Sequence, residues 1–263
     1  MTLSADRLER FARHIVLPEV GGAGQVALAD RHVVLVGMGG IGNPALQYLA
    51  AAGVGRLTLI DDDVIEDSNL QRQTLFAPAD RGRSKAEVAA EWVRRFDPAL
   101  VVSPVLTRID ATNASDLLAE ADVVLDGCDN FATRLAVSDA CVALGVPLTT
   151  AAIGRFQGQV ANFAGHLPDE SCYRCFVGDA FDAEDCDTCA ADGVLGAMVG
   201  MVGSFAAMHA LRVLLAGVAS MGDPQWGRVY LIEGLKADMR PMRIAKDPEC
   251  RGCQPILPAP LSA

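Results

Sequence analysis

In the stretch GMGGIG, residues 37–42, four glycines stand between an apolar run and a helical pattern. Glycines at a strand-to-helix turn let a phosphate approach the backbone N–H groups of a helix amino end, so the turn predicts a bound nucleotide. Asp61 ends the next strand, roughly twenty residues on, where it is placed to accept hydrogen bonds from ribose hydroxyls. The turn alone fits NAD and ATP equally well.

The residues that follow separate the two. DSNLQRQTLF, residues 67–76, and RGRSKAE, residues 81–87, contribute Asn69, Arg72 and Lys85. A hydride-transfer site has no need of these cations, whereas a triphosphate does: arginine grips phosphate oxygens as a fork, and lysine acts as a point charge. Lys85 is one of three lysines, with Lys236 and Lys246. At a helix start it opposes the helix dipole unless an anion lies nearby; the alternative is a solvated first-turn side chain. DVVLDGCDN, residues 122–130, brings Asp126 and Asp129 to a strand's carboxyl end, where open α/β sheets gather ligands. Asp129 suits Mg²⁺ bridging nucleotide phosphates, while helix capping by Asp129 and Asn130 is the alternative.

The cysteines point to a second site. Cys172 with Cys175, and Cys250 with Cys253, form two C-x-x-C knuckles, which together supply the four thiolates of a closed tetrahedral zinc site. Either pair alone also fits a redox motif, but one redox motif leaves the second pair unexplained. Cys128 and Cys141 lie among apolar residues and read as buried, inert thiols. Cys186 and Cys189 lie in GDAFDAEDCDTCAADG, whose acids should raise a thiol pKa and oppose nucleophilicity.

Alternating elements must position these groups. Strands are predicted at 32–36, 56–61, 100–106, 122–126 and 146–151, and helices at 42–52, 84–96, 113–120 and 131–144. The alternation implies a mainly parallel sheet with helices on both faces. Two short helical pieces over 6–30 precede the first strand. Gly53 and Gly145 close their helices, and Ser84 with Glu87 forms a capping box. After residue 151 the pattern changes to strands near 159–163, 228–233 and 239–244, which fit an antiparallel extension of the same sheet. The chain therefore reads as one domain over 1–263, with a nucleotide-binding half to about 150 and a second half over 151–263.

Composition excludes some partners. A formal charge of -11 argues against a nucleic-acid surface. The charged start lacks a signal-peptide core, so a cytoplasmic location with reduced thiols is expected. Residues 194–211 are uncharged and reach about the minimum length for a membrane span, but their glycines, Ser204 and His209 better suit a helix pressed into a soluble core or a dimer interface.

Together GMGGIG, LTLIDDD, SNLQRQTLF, SKAE, VVLDGCDN, CYRC and CRGC resemble the ThiF/MoeB/HesA family, the bacterial relatives of the ubiquitin-activating enzyme. The resemblance runs from about Arg7 to Cys253. It implies adenylation by ATP of the C-terminal Gly-Gly carboxylate of a ubiquitin-like sulfur carrier, in thiamine or molybdopterin synthesis. The implied nucleotide site is Gly39, Gly40 and Gly42 at the phosphate turn, Asp61 on the ribose, Asn69, Arg72 and Lys85 on the triphosphate and Asp129 on Mg²⁺, with Asp63, Gln73 and Asn130 among the other residues that bind the nucleotide. Arg13 matches an arginine that reaches the neighbouring subunit's ATP, which implies a homodimer. Cys189 matches a loop cysteine that in some members joins the carrier covalently; Cys186, three residues earlier, is a departure. Nothing after CRGC resembles a rhodanese domain, so a separate sulfur donor is expected. An NAD-dependent oxidoreductase and a non-catalytic dimeric scaffold are the competing readings.

Overall fold

A computed structural model describes residues 3–178 and 193–254. Three helices, α1 (Ala5–Arg10), α2 (Ala12–Ile15) and α3 (Gly21–Ala29), lead into strand β1 (His32–Val36). The sequence predicted two helical pieces here. The extra break falls at Phe11, whose buried ring lies so close to Gly53 that a Cβ there would stand 2.5 Å from it.

From β1 onward the alternation holds. The elements are α4 (Gly42–Ala52), β2 (Arg56–Ile60), α5 (Lys85–Phe96), β3 (Val101–Val105), α6 (Ala114–Leu118), β4 (Val123–Asp126), α7 (Phe131–Leu144) and β5 (Leu148–Gly154). The second half adds β6 (Gln157–Phe163), α8 (Tyr173–Val177), α9 (Gly196–Leu214), β7 (Arg228–Glu233) and β8 (Asp238–Arg243). All eight strands form one sheet in the order β3-β2-β1-β4-β5-β6-β7-β8. The first five run parallel, and β6, β7 and β8 extend them antiparallel. Prolines occur in the two outermost strands, Pro104 in β3 and Pro241 in β8.

The sheet is covered on both faces, which explains why β1 and β4 are buried at every position rather than alternately. Val33 and Leu35 of β1 pack into one core with Leu46 and Leu49 of α4 and Val202 and Ala206 of α9. Val34 and Val36 face the other core, with Leu118, Val137 and Phe163. Helix ends follow the sequence signals: Gly53 and Gly145 are left-handed C-caps at φ +83 and +72, and Ser84 Oγ accepts from the Glu87 N–H at 3.4 Å.

Among the described residues α9 is the one helix long and apolar enough to cross a membrane. It lies instead against α4, β5 and β6. Gly203 permits that approach, since a Cβ there would stand 2.5 Å from the Ile41 carbonyl oxygen and the Pro44 ring. The buried-helix expectation is the one the packing bears out.

Candidate functional site

The order of the sheet reverses between β1 and β4, and a cleft of about 390 Å³ opens at their carboxyl ends. Its floor is the turn after β1. Gly37 sits at φ +88, and a Cβ on it would come 3.1 Å from the Cys128 nitrogen at the end of β4. Gly39 and Gly40 line the cleft, as predicted. Gly42 does not: a Cβ there would stand 2.0 Å from the Gly37 carbonyl oxygen, so this glycine is required by the packing of the turn on α4.

Asp61 directly follows β2 and binds the glycine turn back to it. One carboxylate oxygen accepts from the Met38 N–H at 2.6 Å and the other from the Asp63 N–H at 2.8 Å. Burial pushes the Asp61 carboxyl above its ordinary pKa, against the pull of the Lys85 charge. Each oxygen has one donor among the described residues and can accept a further hydrogen bond at the cleft wall.

Lys85 is the first residue of α5, yet it is only 6% exposed, which overturns the solvated alternative. Its Nζ donates to Asp63 Oδ2 at 2.7 Å, so the anion that offsets its position at a helix amino end is Asp63. Asn69 closes a 3₁₀ turn (Asp67–Asn69), its Oδ1 accepting from the Glu66 N–H at 3.3 Å. Arg72 donates to the Ser68 carbonyl at 2.8 Å, and Gln73 is buried with an Oε1 that has no partner among the described residues. Asn69, Arg72, Gln73, Lys85, Asp61 and Asp63 all line the one cleft.

The opposite wall comes from β4. Asn130 is the N-cap of α7, its Oδ1 accepting from the Thr133 N–H at 2.9 Å. The capping alternative therefore belongs to Asn130, and Asp129 stands exposed at the cleft without a hydrogen bond or ion pair among the described residues. Asp126, expected near the ligand, is instead 1% exposed behind the wall, paired with Arg134 at 3.3 Å. Cys128 is half-buried at the cleft, and burial raises its thiol well above the ordinary range; Cys141 is buried and raised in the same way, as expected of inert thiols.

Arg13 is exposed on α2 and does not line the cleft. Phe11 packs on Gly53, just before β2 begins, which places α2 at the amino edge of the sheet. The cleft lies at the other edge, a strand length of about 17 Å away. Cys186 and Cys189 lie outside the described residues.

Two contributors were missed in the sequence. Asn43 is fully buried, donating to the Met38 carbonyl at 2.7 Å and accepting from the Leu75 N–H at 3.0 Å, and so locks the glycine turn to the segment after Arg72. Arg134 lines the cleft and ties β4 to β5 through the Ala151 carbonyl at 2.7 Å and the Thr150 hydroxyl at 3.0 Å. An arginine in the first turn of a mainly apolar helix was the available signal.

The four knuckle cysteines come together away from the cleft. All four sulfurs lie within 4.8 Å of one another. Cys172 stands 3.8 Å from Cys175 and 3.5 Å from Cys250, and Cys175 stands 3.5 Å from Cys253. Tetrahedral zinc with bonds of about 2.3 Å sets neighbouring sulfurs about 3.8 Å apart, so the donor set and its spacing fit that ion. A hydrogen bond with Cys172 pulls the Cys175 thiol well below its ordinary range, and the Asp247 N–H adds a donor at 3.4 Å. Two separate redox pairs would not converge in this way.

A second groove, of about 370 Å³, lies over β5 to β8 between Gly154, Gly158, Leu231 and Arg240. Ala152 and Ile153 line both cavities, so the groove adjoins the cleft there.

A glycine turn, a ribose-height acid and two phosphate-seeking cations at the switch point of a parallel sheet define a nucleotide-binding α/β protein. The chain belongs to the ThiF family, whose model matches residues 11–252. It is 42% identical over 255 residues to the SAMP-activating enzyme E1 of Haloferax volcanii, covering 96% of this chain and 92% of that protein. It is 40% identical over 258 residues to the sulfur carrier protein adenylyltransferase of Thermus thermophilus, covering 96% and 93%. Among solved structures, Escherichia coli MccB with ATP has the same fold, with a TM-score of 0.78 at 22% identity over 93% of this chain and 74% of that one.

Proposed function

We propose that the protein is an ATP-dependent adenylyltransferase that activates the C-terminal Gly-Gly carboxylate of a ubiquitin-like sulfur carrier. The observation that carries this is the meeting of Arg72, Lys85 and Asn69 with the glycine turn and Asp61 in one cleft. A dinucleotide oxidoreductase needs the turn and the acid but not the cations. The relatives of Haloferax and Thermus, named for activating such carriers, support the same class.

In this reading the carrier's carboxylate oxygen attacks the α-phosphorus of ATP. A new P–O bond forms, the bond to the β-phosphate oxygen breaks, and pyrophosphate leaves with the electron pair. The nucleophile is already ionised near neutral pH, so no general base is required. Catalysis is then positioning and charge stabilisation. Backbone N–H groups at Gly39 and Gly40 receive phosphate oxygens, Asp61 accepts from the ribose, and Lys85 and Arg72 stabilise the negative charge of the departing pyrophosphate. Asp129 is the free carboxylate suited to hold Mg²⁺, which supplies further charge neutralisation when bound. The groove over β5 to β8 offers the extended carrier tail a path to the cleft.

Arg13 completes the site of a second copy, which makes the working unit a homodimer. The cluster of Cys172, Cys175, Cys250 and Cys253 holds zinc in a structural role, with no open position for catalysis. Sulfur comes from a separate donor, with Cys189 or Cys186 as the thiols available for its transfer. The free thiols suit a reducing cytoplasm.

The test is exchange of labelled pyrophosphate into ATP, with Mg²⁺ and each candidate Gly-Gly-ending carrier of the thiamine and molybdopterin routes. Exchange with one carrier is the expected result and names the route. Absence of exchange with all of them, with ATP still bound, returns the protein to the scaffold reading.

A further inference from the structure

Strands β4 and β5 part company at the cleft, and one buried side chain spans the gap. Their ladder ends at the Asp126–Thr150 pair. Just beyond it the Arg134 guanidinium, 6% exposed, donates through one terminal nitrogen to the carbonyls of Cys128 and Ala151, the latter at 2.7 Å. Its other terminal nitrogen donates to Asp126 Oδ2 at 3.3 Å and to the Thr150 hydroxyl at 3.0 Å. That hydroxyl donates in turn to Asp126 Oδ2 at 3.3 Å, and Asp126 Oδ1 accepts from the Cys128 N–H at 3.0 Å. A guanidinium suits this task because its donors are held in a fixed fork and can serve several acceptors at once.

The N–H and the carbonyl of Cys128 are therefore both held, one by Asp126 and the other by Arg134. The preceding residue, Gly127, donates to the Val36 carbonyl at 2.9 Å, and a Cβ on it would stand 2.9 Å from Ile41 Cγ2, so the loop also rests on the glycine turn. Asp129 comes next. It has no hydrogen bond or ion pair among the described residues, so the path of its backbone sets where its carboxylate stands in the cleft. A carboxylate that meets a metal must be placed to within about 0.5 Å, and the groups bonded behind it do the placing. Apolar side chains of similar volume would fill the space behind the loop at less cost than a buried ion pair. What Asp126 and Arg134 add is the direction of their hydrogen bonds.

We propose that Arg134, with Asp126 and Thr150, is a positioning residue that fixes loop 127–130 so that the Asp129 carboxylate meets Mg²⁺ on the bound nucleotide. Arg134 acts through the loop, since both its terminal nitrogens are engaged by acceptors of the protein. The proposal rests on the reading of the cleft as an ATP site and of Asp129 as the residue that holds Mg²⁺.

The experiment measures ATP affinity by titration calorimetry on the full chain, with and without Mg²⁺, for the wild type, Arg134→Lys and Asp129→Ala, and follows hydrogen–deuterium exchange at residues 127–130. Lysine keeps a charge beside Asp126 but cannot serve the four acceptors together. Arg134→Lys is expected to bind ATP about tenfold more weakly with Mg²⁺, to match the wild type within about twofold without it, and to exchange faster at 127–130 while β2 is unchanged. Asp129→Ala is expected to show the same Mg²⁺-dependent loss. Wild-type affinity with Mg²⁺ in Arg134→Lys overturns the proposal. So does a loss of equal size with and without Mg²⁺, which makes Arg134 a support of the cleft as a whole. If Arg134→Lys does not fold, Thr150→Val decides, because it deletes one hydroxyl and keeps the shape: about threefold weaker binding with Mg²⁺ and none without supports the proposal, and wild-type affinity in both conditions overturns it. An Asp129→Ala variant that binds as tightly as the wild type with Mg²⁺ instead overturns the assignment of Mg²⁺ to Asp129, and a wild type that binds no ATP in either condition overturns the nucleotide reading.

Discussion

Lys85 is nearly buried, and its ammonium pairs with the Asp63 carboxylate, which is itself mostly exposed. Such a pair contributes little to stability, under about 1 kcal/mol, because water screens the exposed partner. Its use lies in holding a charge against the cleft. Lys85→Met should therefore melt within a few degrees of the wild type while pyrophosphate exchange falls by about 10²- to 10³-fold, the usual effect of losing one stabilising group for developing charge. A melting temperature that collapses with the activity would show a structural lysine instead. At this scale most of the cleft was legible, because Asn69, Arg72 and Lys85 follow one another at short spacing and their chemistry is in their side chains. Arg134 and Asn43 were not legible. Their partners are the backbone atoms of Ala151, Cys128, Met38 and Leu75, and no residue type announces a carbonyl that the fold brings near.

Between elements, the glycine turn keeps its shape through Asn43, which bridges the turn and the segment ahead of α5. Asn43→Ala leaves a buried carbonyl and a buried N–H without partners and should cost about 3 kcal/mol, a drop of roughly 6–12 °C in Tm measured by calorimetry. A loss below a couple of degrees would mean that water replaces the amide. Helix α9 carries a different sensitivity. Burial, with the nearby Arg212 charge, lowers His209 from 6.5 to about 4, and Phe205 and Tyr230 enclose its ring. Between those two values the unfolded chain takes up a proton that the folded chain refuses, so stability falls as pH falls through that window. From pH 7 to pH 5 this amounts to about 2 kcal/mol. His209→Leu should flatten that part of the pH dependence in urea-melt midpoints, and an unchanged slope would assign it to His32 or His166, which burial also lowers. Periodicity and caps gave the strands and the longer helices to within a few residues from β1 onward, but not the short helix α8, which the sequence reads as a cysteine-bearing loop. The break at Phe11 was hidden because it answers to Gly53, which lies far along the chain.

For the whole molecule, Arg13 does not line the cleft of its own chain, and in the proposed homodimer it reaches the nucleotide of the second copy. Mixing Arg13→Ala with Asp129→Ala subunits should then restore about a quarter of wild-type exchange, since half of randomly formed dimers are mixed and each carries one intact composite site. Two inactive variants that stay inactive on mixing would place Arg13 outside the reaction. The topology was readable as an alternation of strands and helices that changes character after residue 151, whereas the convergence of the two grooves at Ala152 and Ile153 depends on the reversal at β5, which no local pattern encodes. The prolines of the sheet have a bearing on a different property. An open sheet ends in two rows of backbone groups that could each recruit a strand from another molecule, and Pro104 and Pro241 remove a donor from each row. Beside Pro241, Asp238, Arg240 and Arg243 add charges of both signs along the same rim. The sheet is thus guarded at the two edges where fibrous growth would begin.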